Sequence, residues 1–187
     1  MLVVNVSDTE VSLAPGGRVT VEVSVTNTST VVEHYVAEAV QLPDGVSMVP
    51  GSASCQLSPG KQGTMQVTIA ARVAPPPRVG STLIGIRVVS PHRLEVQRTE
   101  EVRLLVEARP DLALSVTPTS VTGRRKARVA VRVDNRGNAP LDVQVTGTAN
   151  EAGTTLVWLP GAAPLSPSGV PGNAIVLPGS GVTLDAE

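Results

Sequence analysis

The feature that most constrains the fold of this 187-residue chain is an apolar side chain at every second position in several short stretches. In VTVEVSVTN, the residues Val19, Val21, Val23 and Val25 alternate with polar ones. Successive residues of a β-strand point to opposite faces, so this pattern predicts a strand buried on one face only. The segments MQVTIAAR, LIGIRVV and VRLLVEA repeat it, with inward residues expected at Met65, Val67, Ile69, Ala71, Ile84, Ile86, Val88, Val102, Leu104 and Val106.

Glycine and proline turn signals separate these stretches at short intervals. No window shows the periodicity of an amphipathic helix. Many short strands without intervening helices predict an all-β, antiparallel sandwich rather than a parallel sheet with crossover helices. The turn signals are Pro15-Gly16-Gly17, Pro43-Asp44-Gly45, Pro59-Gly60 and Pro178-Gly179.

The chain also aligns with itself. The segment RVTVEVSVTNTST at 18–30 matches KARVAVRVDNRGN at 126–138, and this match aligns Asn27 with Asn135. A second match aligns the turn at Pro59 with the turn at Pro178. Between these two matches the second copy carries about a dozen additional residues, around 160–172. The sequence therefore predicts two tandem sandwich domains, 1–108 and 109–187, with a boundary near Pro110, which cannot donate to a strand ladder.

The second domain looks cut short. In the first copy, two predicted strands near 82–90 and 95–107 follow the second match, whereas in the second copy the chain ends at Glu187. Two explanations stay open: the chain is a fragment of a longer protein, or another molecule supplies the missing strand. An incomplete sandwich exposes an unpaired sheet edge, so we expect strand addition or a homo-oligomer contact at the second domain.

LAPGGRVTVEVSVTNTSTVVEHYVAEAVQLPDGVSMVP, followed by VGSTLIGIRVVS, resembles the bacterial immunoglobulin-like β-sandwich modules of the NEW3 and CARDB-like kind, which often accompany glycosidases and surface proteins. Together with TGRRKARVAVRVDNRGNAPLDVQV, the chain is similar to two-module bacterial proteins loosely named "hydrolytic protein". Some of these are encoded beside phage-tail-like contractile injection systems.

The resemblance implies two tandem immunoglobulin-like antiparallel β-sandwich domains. It also implies a non-enzymatic structural or adaptor module of a bacterial assembly, with a contractile injection system as the specific version and protein partners within it. The alternative is a carbohydrate- or cell-wall-binding accessory domain of a glycosidase-type protein. A hydrolase is the third class, suggested by the family label alone.

Charge, cysteine content and hydropathy limit the partners, the covalent or metal sites and the localisation that this chain could have. The chain has 15 basic and 16 acidic residues, so it has no strong positive field and we expect no nucleic-acid partner. Its single cysteine, Cys55, excludes an intrachain disulfide and a cysteine-based zinc site, and is expected to be a small buried hydrophobe. With no apolar run near the roughly 20 residues of a membrane span and no signal-peptide pattern, the sequence as it stands predicts a cytoplasmic protein.

Neither catalytic, cofactor-binding nor metal-binding residues are predicted. The two histidines are His34, on a predicted strand, and His92, in a predicted turn. The sequence contains no G-x-S-x-G motif that would supply a serine nucleophile for either of them to activate. The pairs Glu100-Glu101 and Glu38 with Asp44 could in principle form a glycosidase dyad, but adjacent strand residues point to opposite faces.

Three further features have a functional and a structural interpretation. Asp134–Asn138 has the oxygen-rich composition of a calcium loop, but a turn that uses the tolerance of Asn and Gly for positive φ is simpler. Tyr35 and Trp158 are expected to fill the two cores rather than to form a sugar-stacking platform. The one dense basic run is either a solvated turn or a docking patch for an acidic protein surface, formed by Arg124, Arg125, Lys126 and Arg128.

Overall fold

The computed structural model describes residues 2–51, 53–121, 126–148, 155, 157–159 and 173–187. In these ranges the chain is all-β, its strands form several open sheets, and no helix could cross a membrane. The chain divides into two compact units, 1–108 and 109–187, called unit 1 and unit 2 below.

Unit 1 consists of two sheets that share one core. The first sheet has the order β1-β3-β7-β5, and the second has the order β2-β9-β8-β4-β6. This two-layered arrangement is sandwich-like. The strands are β1 (Leu2–Val6), β2 (Glu10–Leu13), β3 (Arg18–Asn27), β4 (Glu33–Val40), β5 (Val46–Met48), β6 (Ser54–Leu57), β7 (Gln62–Ala71), β8 (Gly80–Ser90) and β9 (Arg93–Val106).

The inward positions predicted from the alternating pattern are confirmed. In β3, Val21, Val23 and Val25 are fully buried, while Val19 near the start of the strand is only partly buried. The inward residues of β7, β8 and β9 all have exposures of 8% or less. Full burial of an aliphatic side chain stabilises the fold by about 1.5–3 kcal/mol, so these rows of residues supply most of the driving force for unit 1.

One strand pair departs from the predicted antiparallel arrangement. β2 pairs in parallel with β9, with Val11 opposite Leu104. The cause is a change of sheet: β1 lies in the sheet of β3, and the chain crosses after Val6 to the other sheet, where β2 runs beside the end of β9.

Unit 2 has a three-stranded sheet of order β10-β11-β14 and a two-stranded sheet of β12 and β13. Its core includes Val131, Val133, Val143 and Val176. The strands are β10 (Leu112–Thr117), β11 (Val129–Asn135), β12 (Leu141–Gln144), β13 (Asn173–Val176) and β14 (Gly181–Ala186). The additional residues expected around 160–172 lie outside the described residues.

The end of β3 is held by the buried side chain of Asn27. Its amide nitrogen Nδ2 donates to the carbonyl oxygens of Val31 at 2.8 Å and Leu57 at 2.9 Å, and its Oδ1 accepts from the backbone N–H of Ser29 at 2.9 Å. The N–H of Gly60, a residue with φ of +70°, donates to the Asn27 carbonyl at 2.8 Å. One side chain thereby connects β3, the following loop and β6.

Asn135 makes the same set of hydrogen bonds at the end of β11. Its Nδ2 donates to the carbonyl oxygens of Ala139 and Val176, both at 2.8 Å, and its Oδ1 accepts from the N–H of Gly137 at 2.9 Å. Gly179, again with φ of +70°, donates to the Asn135 carbonyl at 2.9 Å. The two asparagines aligned by sequence are therefore equivalent in structure, and they fix a common frame for comparing the units.

The turn after β11 forms as predicted, but for a different reason. The sequence predicts positive φ values there, and Gly137 does not adopt one. Instead, a Cβ at Gly137 would collide with the carbonyl oxygen of Arg109. The turn requires glycine for this close backbone approach, and Asn138 holds the same segment by accepting the Arg109 N–H at 2.7 Å.

Candidate docking surface

β10 presents three apolar side chains to solvent. Leu112, Leu114 and Val116 are 50%, 60% and 37% exposed. They lie opposite Asn135, Val133 and Val131 of β11, residues that face the core. Directly opposed residues of an antiparallel pair share a face of the sheet, so these side chains lie on the core-facing side. We call these three residues the β10 strip.

The equivalent strand of unit 1 is covered. β1 pairs with β3 as β10 pairs with β11, and Val4 lies opposite Val25 as Leu114 lies opposite Val133. Val4 is only 5% exposed, because β9 of the second sheet lies against β1. The strip is therefore exposed because unit 2 has no layer in that place among the described residues, although its side chains are as apolar as those of β1.

The second sheet of unit 2 stops where that of unit 1 continues. In unit 1, β4 pairs with β6 from Glu33 onward, and its later residues 36–40 pair with β8. In unit 2, β12 pairs with β13 from Leu141 onward, six residues after Asn135 as Glu33 is six after Asn27. The residues equivalent to 36–40 are therefore 144–148, and beyond Gln144 they form no strand. We call residues 144–148 the β12 extension.

The predicted basic patch is described only in part. Arg124 and Arg125 lie outside the described residues. Lys126 and Arg128 have side chains 73% and 74% exposed, and both approach one carboxylate, with distances to Glu187 of 3.2 Å from Nζ and 3.8 Å from Nε. Exposed ion pairs of this kind contribute little stability, so both cations stay accessible at the surface. A docking role for the patch stays a prediction.

Two of the four candidate carboxylates are bound to guanidinium groups. Glu38 accepts from Arg87 Nε at 2.7 Å, and Glu100 accepts from Arg98 Nε at 2.8 Å. His92 is exposed in the turn between β8 and β9. In the part of the chain that the structure describes, no three His, Cys, Asp or Glu side chains are grouped so that they could hold a metal ion.

A buried carboxylate that sequence reasoning missed lies at the start of β4. Glu33 is 4% exposed and accepts from Ser90 Oγ at 2.9 Å and from Arg93 Nη1 at 2.7 Å. Arg93 also donates to Glu95, and this hydrogen bond together with the charge of Glu33 raises the pKa of the guanidinium further above its ordinary value. The cluster ties the β8–β9 turn to β4.

Of the two large aromatic side chains, Tyr35 lies in a core as expected, and Trp158 only packs against one. Tyr35 is fully buried and its hydroxyl donates to Asn27 Oδ1 at 3.2 Å, while Trp158 is partly buried against the core of unit 2. Burial, reinforced by the negative charge of Glu33, raises the pKa of Tyr35. Burial likewise raises the pKa of Cys55, which keeps this partly buried thiol protonated at neutral pH.

The β10 strip also escaped the sequence reasoning, although a signal for it exists. LVVNV at 2–6 and LALSV at 112–116 share apolar residues at their first, third and fifth positions. Extension of the internal match upstream, allowing for two residues fewer before the matched strand in the second copy, would have identified β10 as the counterpart of β1. A prediction that β10 is exposed would still have required knowledge of which strands pack against its inward face.

No protein-family model matches the chain, and no curated protein matches it. Native Escherichia coli alpha-2-macroglobulin matches 62% of this chain and 7% of its own, with 14% identity and a TM-score of 0.42. A Porphyromonas gingivalis W83 protein of unknown function matches 98% of this chain and 81% of its own, with 17% identity and a TM-score of 0.37. The E. coli chaperone DraB matches 97% and 85%, with 15% identity and a TM-score of 0.36. The chain thus spans a small fraction of the macroglobulin, and TM-scores this low carry no functional argument.

Proposed function

We propose that this protein is a non-enzymatic structural or adaptor module of a bacterial protein assembly. In this proposal, two tandem immunoglobulin-like sandwiches dock through sheet edges and loops. The observation that carries it is the exposure of Leu114, at 60%, in a position where the equivalent Val4 of unit 1 is buried at 5%.

Single exposed aliphatic residues are common on protein surfaces and need no explanation. The β10 strip differs because its three residues alternate along one strand and face the side on which a sandwich places its second layer. Contiguous apolar surface of this kind is typical of interaction sites. The exposed cations of Lys126 and Arg128 add a second surface suited to an acidic partner.

The identity of the assembly is the finer part of the proposal. A phage-tail-like contractile injection system is supported by the sequence resemblance alone. The docking function does not depend on it, because a strip of aliphatic side chains recognises complementary apolar surface in any assembly.

Site-specific photo-crosslinking in bacterial cells that carry the native partners tests the docking function. A photoreactive side chain is placed at Leu114, at Lys126 and, as a control, at Leu94, which is 69% exposed in unit 1. We expect discrete protein adducts from position 114 or 126 and none from position 94. Absence of adducts at 114 and 126, or retention of the purified chain on a glycan array, would contradict the proposal and favour the carbohydrate-binding alternative.

A further inference from the structure

A cleft between two loops of unit 1 is lined by two arginines, an aspartate and two prolines. We propose that it binds an acidic segment of a partner protein, whose carboxylate pairs with Arg72 and Arg78 while Asp44 accepts a hydrogen bond from the same segment. This inference goes beyond the docking surfaces of unit 2, because the site lies elsewhere in the chain. We call it the loop cleft; it has a volume of about 540 Å³ and is lined by Pro43, Asp44, Arg72, Pro76 and Arg78.

The loop cleft is formed by two connections between strands. Pro43 and Asp44 belong to the connection from β4 to β5, and the other lining residues belong to the connection from β7 to β8. Loops held in place by a sheet framework are common positions for binding sites in sandwich folds. Unit 1 can therefore carry a site here without any change to its core.

The backbone of Arg72 is fixed by two neighbouring turns. Its N–H donates to the carbonyl oxygen of Gly45 at 2.8 Å, and its own carbonyl oxygen accepts from the N–H of Gly16 at 3.2 Å. Its guanidinium lies over Gly45, where a β-carbon would come within 3.3 Å of Nη2. Gly45 also has a φ of +83°, which favours glycine. The turn at Gly45 therefore makes room for the guanidinium at the edge of the cleft.

Three consecutive prolines, residues 75–77, restrict the loop that carries Arg78. Each ring holds φ near about −65°, and Pro77 is buried. A segment with so few backbone conformations loses little conformational entropy when a ligand binds. Arg78, which follows directly, is therefore presented by a largely preorganised loop.

The charges of the loop cleft have no partners within the described ranges. The arginines of β8, β9 and β11 each pair with a carboxylate. By contrast, the side chains of Arg72, Arg78 and Asp44 make no ion pair or hydrogen bond with a described residue. Two cations and one anion with unused hydrogen-bonding capacity match a ligand that carries both a carboxylate and a donor.

A segment of protein chain supplies both groups. A glutamate or aspartate offers acceptor oxygens to the two guanidinium groups, and a neighbouring lysine or backbone N–H offers the donor for Asp44. The rings of Pro43 and Pro76 offer apolar contact to the methylene groups of the ligand. The three charged side chains are exposed, so the cleft encloses only part of a ligand, whereas small-molecule sites bury about 70–90% of theirs. The cleft is therefore suited to side chains that project from a larger molecule.

Nuclear magnetic resonance titration of the isotope-labelled full chain tests the site. The probe is the peptide Gly-Ser-Glu-Lys-Ser-Gly with blocked ends, compared with versions in which glutamine or phosphoserine replaces the glutamate. We expect the glutamate peptide to cause saturable shifts of the Gly45 N–H and of the side-chain Nε–H groups of Arg72 and Arg78, with a Kd of about 1 mM. The glutamine peptide should bind at least about fivefold more weakly.

Arg72→Gln and Arg78→Gln should each weaken binding of the glutamate peptide by about five- to tenfold, because each removes a charge-assisted hydrogen bond. Arg136→Gln is the matched control and should leave binding unchanged. Arg136 is an exposed arginine of unit 2 whose side chain has no partner among the described residues, and its replacement changes the net charge equally. Asp44→Ala should also weaken binding, by about two- to threefold, because it removes the acceptor. Unchanged shifts of core amides verify that each variant is folded.

Absence of saturable shifts at Gly45, or equal binding by wild type and Arg72→Gln, overturns the site. Equal binding of the glutamine peptide also overturns it. Tighter binding by Asp44→Ala would show a general attraction of anions and contradict the proposed arrangement. A phosphoserine peptide that binds tenfold more tightly than the glutamate peptide would make a phosphorylated segment the ligand and overturn the carboxylate. If the site fails while crosslinking at position 114 or 126 persists, the docking function proposed above stands without it.

Discussion

Val4 and Leu114 occupy the same position in two units that share one hydrogen-bonded frame, yet one side chain is 5% exposed and the other 60%. The frames agree down to the asparagine that ends β3 or β11 and the glycine, Gly60 or Gly179, that donates to its carbonyl oxygen. The difference arises from the second layer, which has five strands in unit 1 and a described pair in unit 2. A strand's sequence thus sets which of its faces is apolar, while the neighbouring layer decides whether that face is buried.

A charge placed at the two equivalent positions should separate the units most strongly. Val4→Asp buries an unpaired carboxylate and should lower the unfolding free energy of unit 1 by about 3–5 kcal/mol. Leu114→Asp stays in water and should change unit 2 by less than about 0.5 kcal/mol. Denaturant titration measures both, since Tyr35 reports on unit 1 and Trp158 on unit 2. Equal losses at the two positions would show that the strip is covered in the free protein.

Replacement of the equivalent asparagines, Asn27 and Asn135, should instead lower the stability of the two units by similar amounts. Asn27→Ala and Asn135→Ala each leave two carbonyl oxygens without their donor, one of them buried, at a cost of about 3 kcal/mol in the unfolding free energy of the unit concerned. Tyrosine fluorescence should follow the first loss and tryptophan fluorescence the second. If either variant unfolds like the wild type, the equivalence of the two frames is wrong.

The buried Glu33 distinguishes the units by chemistry, because Leu141 stands at its position in unit 2. Arg93→Ala leaves the carboxylate in the core without its charged partner and should lower the unfolding free energy of unit 1. Glu33→Leu gives unit 1 the residue type that unit 2 has at this position and leaves Arg93 in water, so it should lower the unfolding free energy by less. Thermal unfolding of both variants checks this order, and a larger loss for Glu33→Leu would contradict it.

The smallest effect is expected from alkaline pH. Burial raises the pKa of Tyr35, so the folded state favours the neutral phenol. The stability of unit 1 should be unaffected by this group below about pH 10, the ordinary tyrosine value, and should fall as the pH rises through the higher folded-state pKa. Unfolding titrations of wild type and Tyr35→Phe from neutral to alkaline pH measure the difference. Identical pH dependence in the two proteins would rule out the assigned cause.

Local signals explain what the sequence could predict. Alternation placed the inward residues of β3, β7, β8 and β9, because the period of side chains along a strand needs no tertiary information. The turns at Gly60 and Gly179 were equally predictable from sequence, because both residues adopt the positive φ that favours glycine.

The rest depends on contacts between distant parts of the chain. Glu33 can be buried because Ser90 and Arg93, 57 and 60 residues away in the chain, donate hydrogen bonds to its carboxylate. No local sequence pattern predicts these contacts. The parallel pairing of β2 with β9 follows from a change of sheet after Val6. Exposure of the β10 strip depends on a neighbouring layer, which single-strand periodicity cannot report.

Thiol labelling at the two equivalent positions measures the central difference most directly. In a Cys55→Ala background, Val4→Cys and Leu114→Cys are compared for their rates of reaction with a thiol reagent under native conditions. We predict that position 114 reacts within about tenfold of the unfolded chain, whereas position 4, which reacts only when unit 1 opens, is slower by about 1,000-fold or more. Similar protection at both positions would contradict the claim that unit 2 leaves open the face that unit 1 buries.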